Sequence, residues 1–158
     1  MVVNCGQIWK DIMMFKIFRA VWFFSLIGVL GALLYVYADL PENVIVQQEG
    51  IESVLIGRDI FFYIVLALIT VTNVMVYAIG SVYKHDLSFK AWFSGLIITL
   101  NLFFVVGLFL INAYNSDERF DFSRIGFVIY GSVGLMVLWA ISWPVVRIFV
   151  NKQANESV

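Results

Sequence analysis

The chain has 158 residues, of which 62% are hydrophobic, 17% aromatic and only 13% charged, whereas an ordinary soluble domain is about 45–50% apolar and about 25% charged. This excludes a typical soluble domain, and a net charge of -1 leaves no cationic surplus to neutralise a nucleic-acid backbone. One cysteine, Cys5, and one histidine, His85, exclude an internal disulfide, a Cys/His metal cluster and a bis-histidine haem built by this chain alone; no cofactor is expected.

Ahead of the first apolar stretch, Ile8, Trp9 and Ile12 read as a short interfacial helix or as an extension upstream of an alternative start at Met13-Met14. Four uncharged runs follow, Ala20 to Ala38, Ile60 to Tyr83, Ala91 to Ser116 and Ile125 to Val146. Each is close to or above the ~20 residues that a helix rising ~1.5 Å per residue needs to cross a ~30 Å hydrocarbon core. The expected fold is an all-α integral membrane protein in one domain over 1–158, a bundle of four transmembrane helices at about 20–38, 60–83, 91–113 and 125–146. Barrel strands would alternate apolar and polar residues, and these runs do not. The first run resembles a signal peptide ending at Val36-Tyr37-Ala38, but its 19 residues exceed the 7–15 of a signal core, so it reads as an uncleaved anchor.

Outside the runs, Lys10, Lys16, Arg19, Lys84, Lys90, Arg147 and Lys152 fall on one side and Arg58, Arg119 and Arg124 on the other. Seven against three places both termini and the inner loop 84–90 in the cytoplasm, with outer loops at 39–59 and 114–124. The localisation this implies is a plasma (inner) membrane of bacterial type. In the first outer loop, two β-prone runs, Val44 to Gln48 and Ile51 to Ile56, flank Glu49-Gly50 and read as a short hairpin. A lone hairpin is marginal, so it should rest on the outer helix ends. Ser123 is expected to cap the fourth helix. Asn155-Glu156-Ser157 matches a glycosylation pattern but falls in the cytoplasmic tail.

No Asp, Glu, Lys, Arg or His lies within a run, and such residues usually mark proton relays and coupled transport. HExxH, paired CxxC and Gly-rich phosphate loops are missing as well, so the chain reads as a non-enzyme. The polar residues that do enter the runs are ordered. Tyr63, Leu66, Thr70, Asn73, Tyr77 and Gly80 recur at helical spacing in the second, and Ser94, Ile98, Asn101, Val105, Leu108 and Asn112 in the third, which defines one face of each. Measured from the run centres, Asn73 and Asn101 lie at similar depth and are expected to meet. The simpler reading is an interhelical hydrogen bond worth roughly 0.6–2 kcal/mol; the sharper one is a polar site for a ligand, a quinone or a permeating solute.

Small residues suggest close backbone packing of the first helix on the fourth, through Ser25, Gly28 and Gly31-Ala32 against Gly126, Gly131 and Gly134. Trp22, Trp92, Trp139 and Trp143 lie towards the cytoplasmic helix ends, where Trp favours the membrane interface, and Pro144 should bend or loosen the end of the fourth helix. His85 beside Asp86, and the carboxylates Asp117, Glu118 and Asp121, read as solvated loop residues rather than metal ligands.

The run Leu40-Pro41-Glu42-Asn43-Val44-Ile45-Val46, followed by Gly50 and a new span at 60, resembles the amino-terminal module of the Sdp-type toxin-immunity membrane proteins over about residues 20–82. The resemblance implies a bacterial inner-membrane bundle with a structured outer loop. Gln47-Gln48 stand where that family carries His-Trp, so it transfers no site residue. The expected function is a non-enzymatic accessory or interaction subunit of a membrane or envelope complex, with lipid and a membrane-protein partner around it. The alternative is a small homo-oligomeric channel or carrier lined by the Asn73/Asn101 stripe.

Overall fold

A computed structural model describes residues 5–49, 52–84, 86–116 and 122–156. Helix α1 spans Cys5–Asp39, a hairpin of β1 (Asn43–Glu49) and β2 (Glu52–Gly57) follows, and then come α2 (Arg58–Val82), α3 (Leu87–Asn115) and α4 (Phe122–Glu156). Ile12–Asp39, Arg58–Val82, Leu87–Asn115 and Gly126–Phe149 are each long and apolar enough to cross a membrane.

The helix ends follow local chemistry. Leu40 donates the last turn's bond to the Val36 carbonyl at 3.0 Å, and Pro41, which has no N–H, closes the ladder. The next helix starts at Arg58, directly after the hairpin, with Asp59 in its first turn, where a carboxylate complements the helix dipole. The carboxylate of Asp86 caps α3 by accepting from the Phe89 N–H at 2.8 Å.

Two helices run far beyond their uncharged runs. α1 is continuous from Cys5 through Lys10, Lys16 and Arg19, so Trp9 and Ile12 belong to it and not to a separate interfacial helix. Charge ends an apolar run without ending a helix, since Lys and Arg are good helix formers. α4 likewise continues past Arg147 to Glu156 and carries Pro144 inside it. That proline leaves the Ala140 carbonyl without its usual donor, but it does not end the helix. α4 starts at Phe122, which puts Ser123 within the helix rather than at the cap before it. His85, Asp117, Glu118 and Asp121, and Ser157 of the glycosylation pattern, lie outside the described residues.

α3 is the central helix: α1 packs on it along most of its length, and α2 and α4 also contact it. The apolar core joins Val29, Leu33, Val36 and Leu40 of α1 with Phe61 and Ile69 of α2, Leu108 of α3 and Val44 of the hairpin. α4 runs against α3, with Phe18 of α1 reaching across to Trp139 at 5.6 Å between ring centroids. Among the described residues, 35 large hydrophobic side chains remain exposed, spread over all four helices and the hairpin. A soluble monomer rarely exposes contiguous apolar surface on that scale.

The expected packing of α1 on α4 through glycines is not what forms. Gly28, Gly31 and Gly131 face outward, and Gly134 is half-buried; a Cβ at any of the four would meet nothing within 4 Å. With α3 as the hub, the glycine that matters is one on α3 itself. Gly95 of α3 is buried against the indole of Trp139 in α4, a close approach that only a residue without Cβ allows. Trp92 and Trp139 lock this contact reciprocally, each indole N–H donating to the other's backbone carbonyl at 2.9 Å. Trp143 stacks on Trp92 at 5.8 Å. These tryptophans therefore pair across α3 and α4 instead of standing as separate interface anchors.

Candidate functional site

Two polar constellations stand out, one in the middle of the bundle and one at the helix ends that carry the hairpin. In the first, Asn73 of α2 and Asn101 of α3 are buried and pair through their side-chain amides. Asn73 Nδ2 donates to Asn101 Oδ1 at 2.9 Å, and Asn101 Nδ2 donates back to Asn73 Oδ1 at 3.1 Å. The second N–H of Asn73 goes to the Ile69 carbonyl at 2.8 Å, and that of Asn101 to Ser25 Oγ at 2.9 Å. Trp22 closes the set by donating its indole N–H to Asn73 Oδ1 at 2.9 Å, while the Ser25 hydroxyl returns to the Trp22 carbonyl at 2.8 Å.

Only one orientation of each amide satisfies this arrangement, because the Ile69 carbonyl demands a donor and the Trp22 indole an acceptor. All four amide N–H groups are used, and Asn73 Oδ1 accepts twice. Three helices are thereby tied at one level by bonds that an apolar surrounding strengthens. With every amide N–H committed, a ligand that accepts hydrogen bonds would have to break an existing bond to enter, and Asn101 Oδ1, which accepts once, keeps one lone pair.

The rest of the polar stripe does not assemble around the pair. Thr70 is exposed and returns its hydroxyl to the Leu66 carbonyl at 2.7 Å, which frees it from needing a partner helix. Tyr77 is 60% exposed and meets Trp22 edge-on at 5.7 Å; Tyr63 is exposed too. The fully buried residues of α2 are Phe61, Ile69 and Asn73; of the stripe, Leu66 packs against the core and Tyr77 and Gly80 border a cavity, while Tyr63 and Thr70 face outward. On α3 the reading fits better. Ser94, Asn101 and Leu108 are buried, and Ser94 bonds the Lys90 carbonyl at 2.9 Å. Asn112 lies near the C-terminal end of α3 and donates to Asp39 Oδ2 at 2.9 Å.

Trp22 and Ser25 are the participants that sequence reasoning places elsewhere. Trp22 is expected at an interface and Ser25 in a backbone contact, but Trp22 is only 3% exposed. Their spacing of three residues puts both on one helical face, the one signal that joins them.

The second constellation fixes the hairpin. β1 pairs antiparallel with β2, Asn43 opposite Gly57 and Glu49 opposite Glu52, with a register shift between Ile45 and Gln47. The Asn115 side chain, one turn beyond Asn112 on α3, acts as a one-residue strand on β1. It accepts from the Ile45 N–H at 2.7 Å and donates to the Ile45 carbonyl at 3.1 Å. At the base, the Arg58 N–H bonds the Glu42 carbonyl at 2.9 Å, its guanidinium reaches the Leu40 carbonyl at 3.1 Å, and its cation lies over the Tyr37 ring at 5.1 Å. Tyr37 donates to Asp59 at 2.7 Å. Val44 is completely buried, so the hairpin is also pinned by its own side chain. Val54 and Leu55, consecutive on β2 and so on opposite faces of the hairpin, are each about half exposed.

No family model, curated protein or solved structure matches the chain.

Proposed function

We propose that the chain is a multi-pass protein of a bacterial-type inner membrane, with both termini cytoplasmic, serving as a non-enzymatic accessory or interaction subunit whose outer hairpin is its contact element. The anchorage of that hairpin carries this reading. A two-stranded hairpin on its own is marginal, yet here Asn115 and Arg58 hold it on α2 and α3, and Val44 sits in the shared apolar core. Its second strand leaves Val54 and Leu55 half exposed, so the ordering that binding would otherwise require is already done. The membrane reading is supported by the exposed apolar surface and by four helices of spanning length. A channel lined by the Asn73/Asn101 stripe receives less support, because the amide N–H groups are all committed and Tyr63 and Thr70 face outward.

Affinity purification of the full chain in mild detergent is expected to bring down a stoichiometric membrane or envelope protein, and Val54→Asp with Leu55→Asp to release it by at least tenfold without changing the melting temperature by more than a few degrees. A clean homo-oligomer that gives solute flux in liposomes, abolished by Asn73→Leu, would establish the channel instead.

Orientation is checked separately. In a background lacking Cys5, Gln48→Cys and Glu118→Cys should react with an impermeant thiol reagent in intact cells and His85→Cys should not. The reverse pattern inverts the topology.

A further inference from the structure

Between α1, α2 and α3, on the side of the amide network that leads to the α2–α3 turn, lies a cavity of about 270 Å³ whose wall includes Trp22, Tyr77, Ser94, Phe93, Arg19 and Lys90. We propose that it seats the phosphate of an anionic glycerophospholipid headgroup. This rests on the membrane-spanning part of the reading above and on the cytoplasmic placement of the α2–α3 turn proposed there, not on the choice of partner.

The first argument is charge. Two cations line the cavity and no carboxylate does. The nearest acid in sequence, Asp86, is committed to the α3 cap. Arg19 lies 5.9 Å from the Phe15 ring and forms no ion pair among the described residues, so its forked donors are available to the paired oxygens of a phosphate. Lys90 gives one N–H to the Lys84 carbonyl at 3.1 Å, which holds its ammonium in place and leaves two N–H groups free.

The second argument is depth. Arg19 immediately precedes the uncharged run that begins at Ala20, and Lys90 the one that begins at Ala91. Both cations therefore stand at the boundary where apolar helix gives way to water, the level of lipid phosphates in a spanning bundle. Basic pockets between helices at that level hold anionic headgroups, and each cation near the surface is worth about 1 kcal/mol towards anionic lipid. The volume is also suited to a headgroup, falling just below the range of about 300–1,000 Å³ typical of small-molecule sites. Phe93 and Trp22 supply apolar wall for the first methylenes beyond it.

The test uses the full-length chain in neutral detergent, titrated with dioleoylphosphatidylglycerol, with dioleoylphosphatidylcholine, or with inorganic phosphate, and read by native mass spectrometry and melting temperature. Phosphatidylglycerol should remain bound and raise the melting temperature, phosphatidylcholine much less and inorganic phosphate not measurably. Arg19→Gln and Lys90→Gln should each weaken phosphatidylglycerol binding about fivefold, the factor corresponding to about 1 kcal/mol per cation. The charge-matched pair Lys16→Gln and Arg147→Gln, outside the cavity wall, should leave binding within twofold.

Equal losses in the control pair would assign the effect to diffuse surface charge and overturn the site. Stabilisation by inorganic phosphate in place of the lipid would overturn the lipid assignment. Extraction of the wild-type chain from membranes by alkaline carbonate would refute the spanning reading itself, whereas a carbonate-resistant chain without lipid preference refutes only the headgroup site.

Discussion

Asn73→Leu should destabilise the bundle by about 2 kcal/mol in detergent, towards the upper end of what single polar contacts contribute between membrane helices. The reason is the number of groups it strands. Leucine removes the acceptor of the Trp22 indole, the donor to Asn101 Oδ1 and the acceptor of one Asn101 N–H, and a buried group left unpaired costs about 1–3 kcal/mol before relaxation. Asn101→Leu should cost slightly less, since the Trp22–Asn73 bond survives it. The double replacement should cost less than the sum by about 1 kcal/mol, because the second leucine removes groups that the first has already orphaned. Trp22→Phe separates the network from simple packing. It keeps a large ring but loses the N–H, and Asn73 Oδ1 still accepts from Asn101, so its cost should fall well below that of Asn73→Leu. Reversible unfolding of the four variants in mixed micelles checks this; strict additivity of the two leucines would mean that the amides do not touch.

The sequence makes some of this legible and hides the rest for identifiable reasons. Charged residues are too costly in hydrocarbon to be placed casually, so the intervals between them mark the four apolar segments. Depth then follows from counting along a helix, which is why Asn73 and Asn101 can be matched before any contact is known. Rotation about the helix axis is harder to read. A hydroxyl such as that of Thr70 satisfies itself on the preceding turn and so does not report which way its helix faces. Trp22 occupies a position where an interface ring and a buried donor look alike in one dimension. Gly28, Gly31 and Gly131 have the composition of a packing seam and meet nothing, because the order of helices around α3 is a property of the whole bundle. Asn115 is invisible for the same reason: its partner, the backbone of Ile45, lies 70 residues away, and a backbone group has no sequence signature.

Gly95→Ala, by contrast with alanine at those outward glycines, should separate α3 from α4. A Cβ at position 95 would be 2.6 Å from Cε2 and 2.9 Å from Nε1 of Trp139, closer than atoms tolerate without one of them moving. The indole has little freedom to yield. Its N–H is bonded to the Trp92 carbonyl, and the backbone behind it accepts from the Trp92 indole and from the Ser142 hydroxyl at 2.6 Å. Forcing a methyl into such a contact typically costs about 1–3 kcal/mol. The loss should fall on α4 in particular, since it packs chiefly on α3, with Phe18 of α1 meeting it at Trp139. Gly28→Ala and Gly131→Ala add the same methyl to open space and replace a poor helix former by the best one, so they should be neutral or slightly stabilising. Melting temperature and disulfide trapping between α3 and α4 cysteines distinguish the cases. Trapping should drop in Gly95→Ala alone and recover when Trp139 is shortened to leucine in the same chain, because the shorter side chain gives the methyl room while α4 keeps its remaining apolar contact with α3. A Gly95→Ala protein with unchanged melting and trapping would show that Trp139 does not lie on α3, and the arrangement of the fourth helix would have to be redrawn.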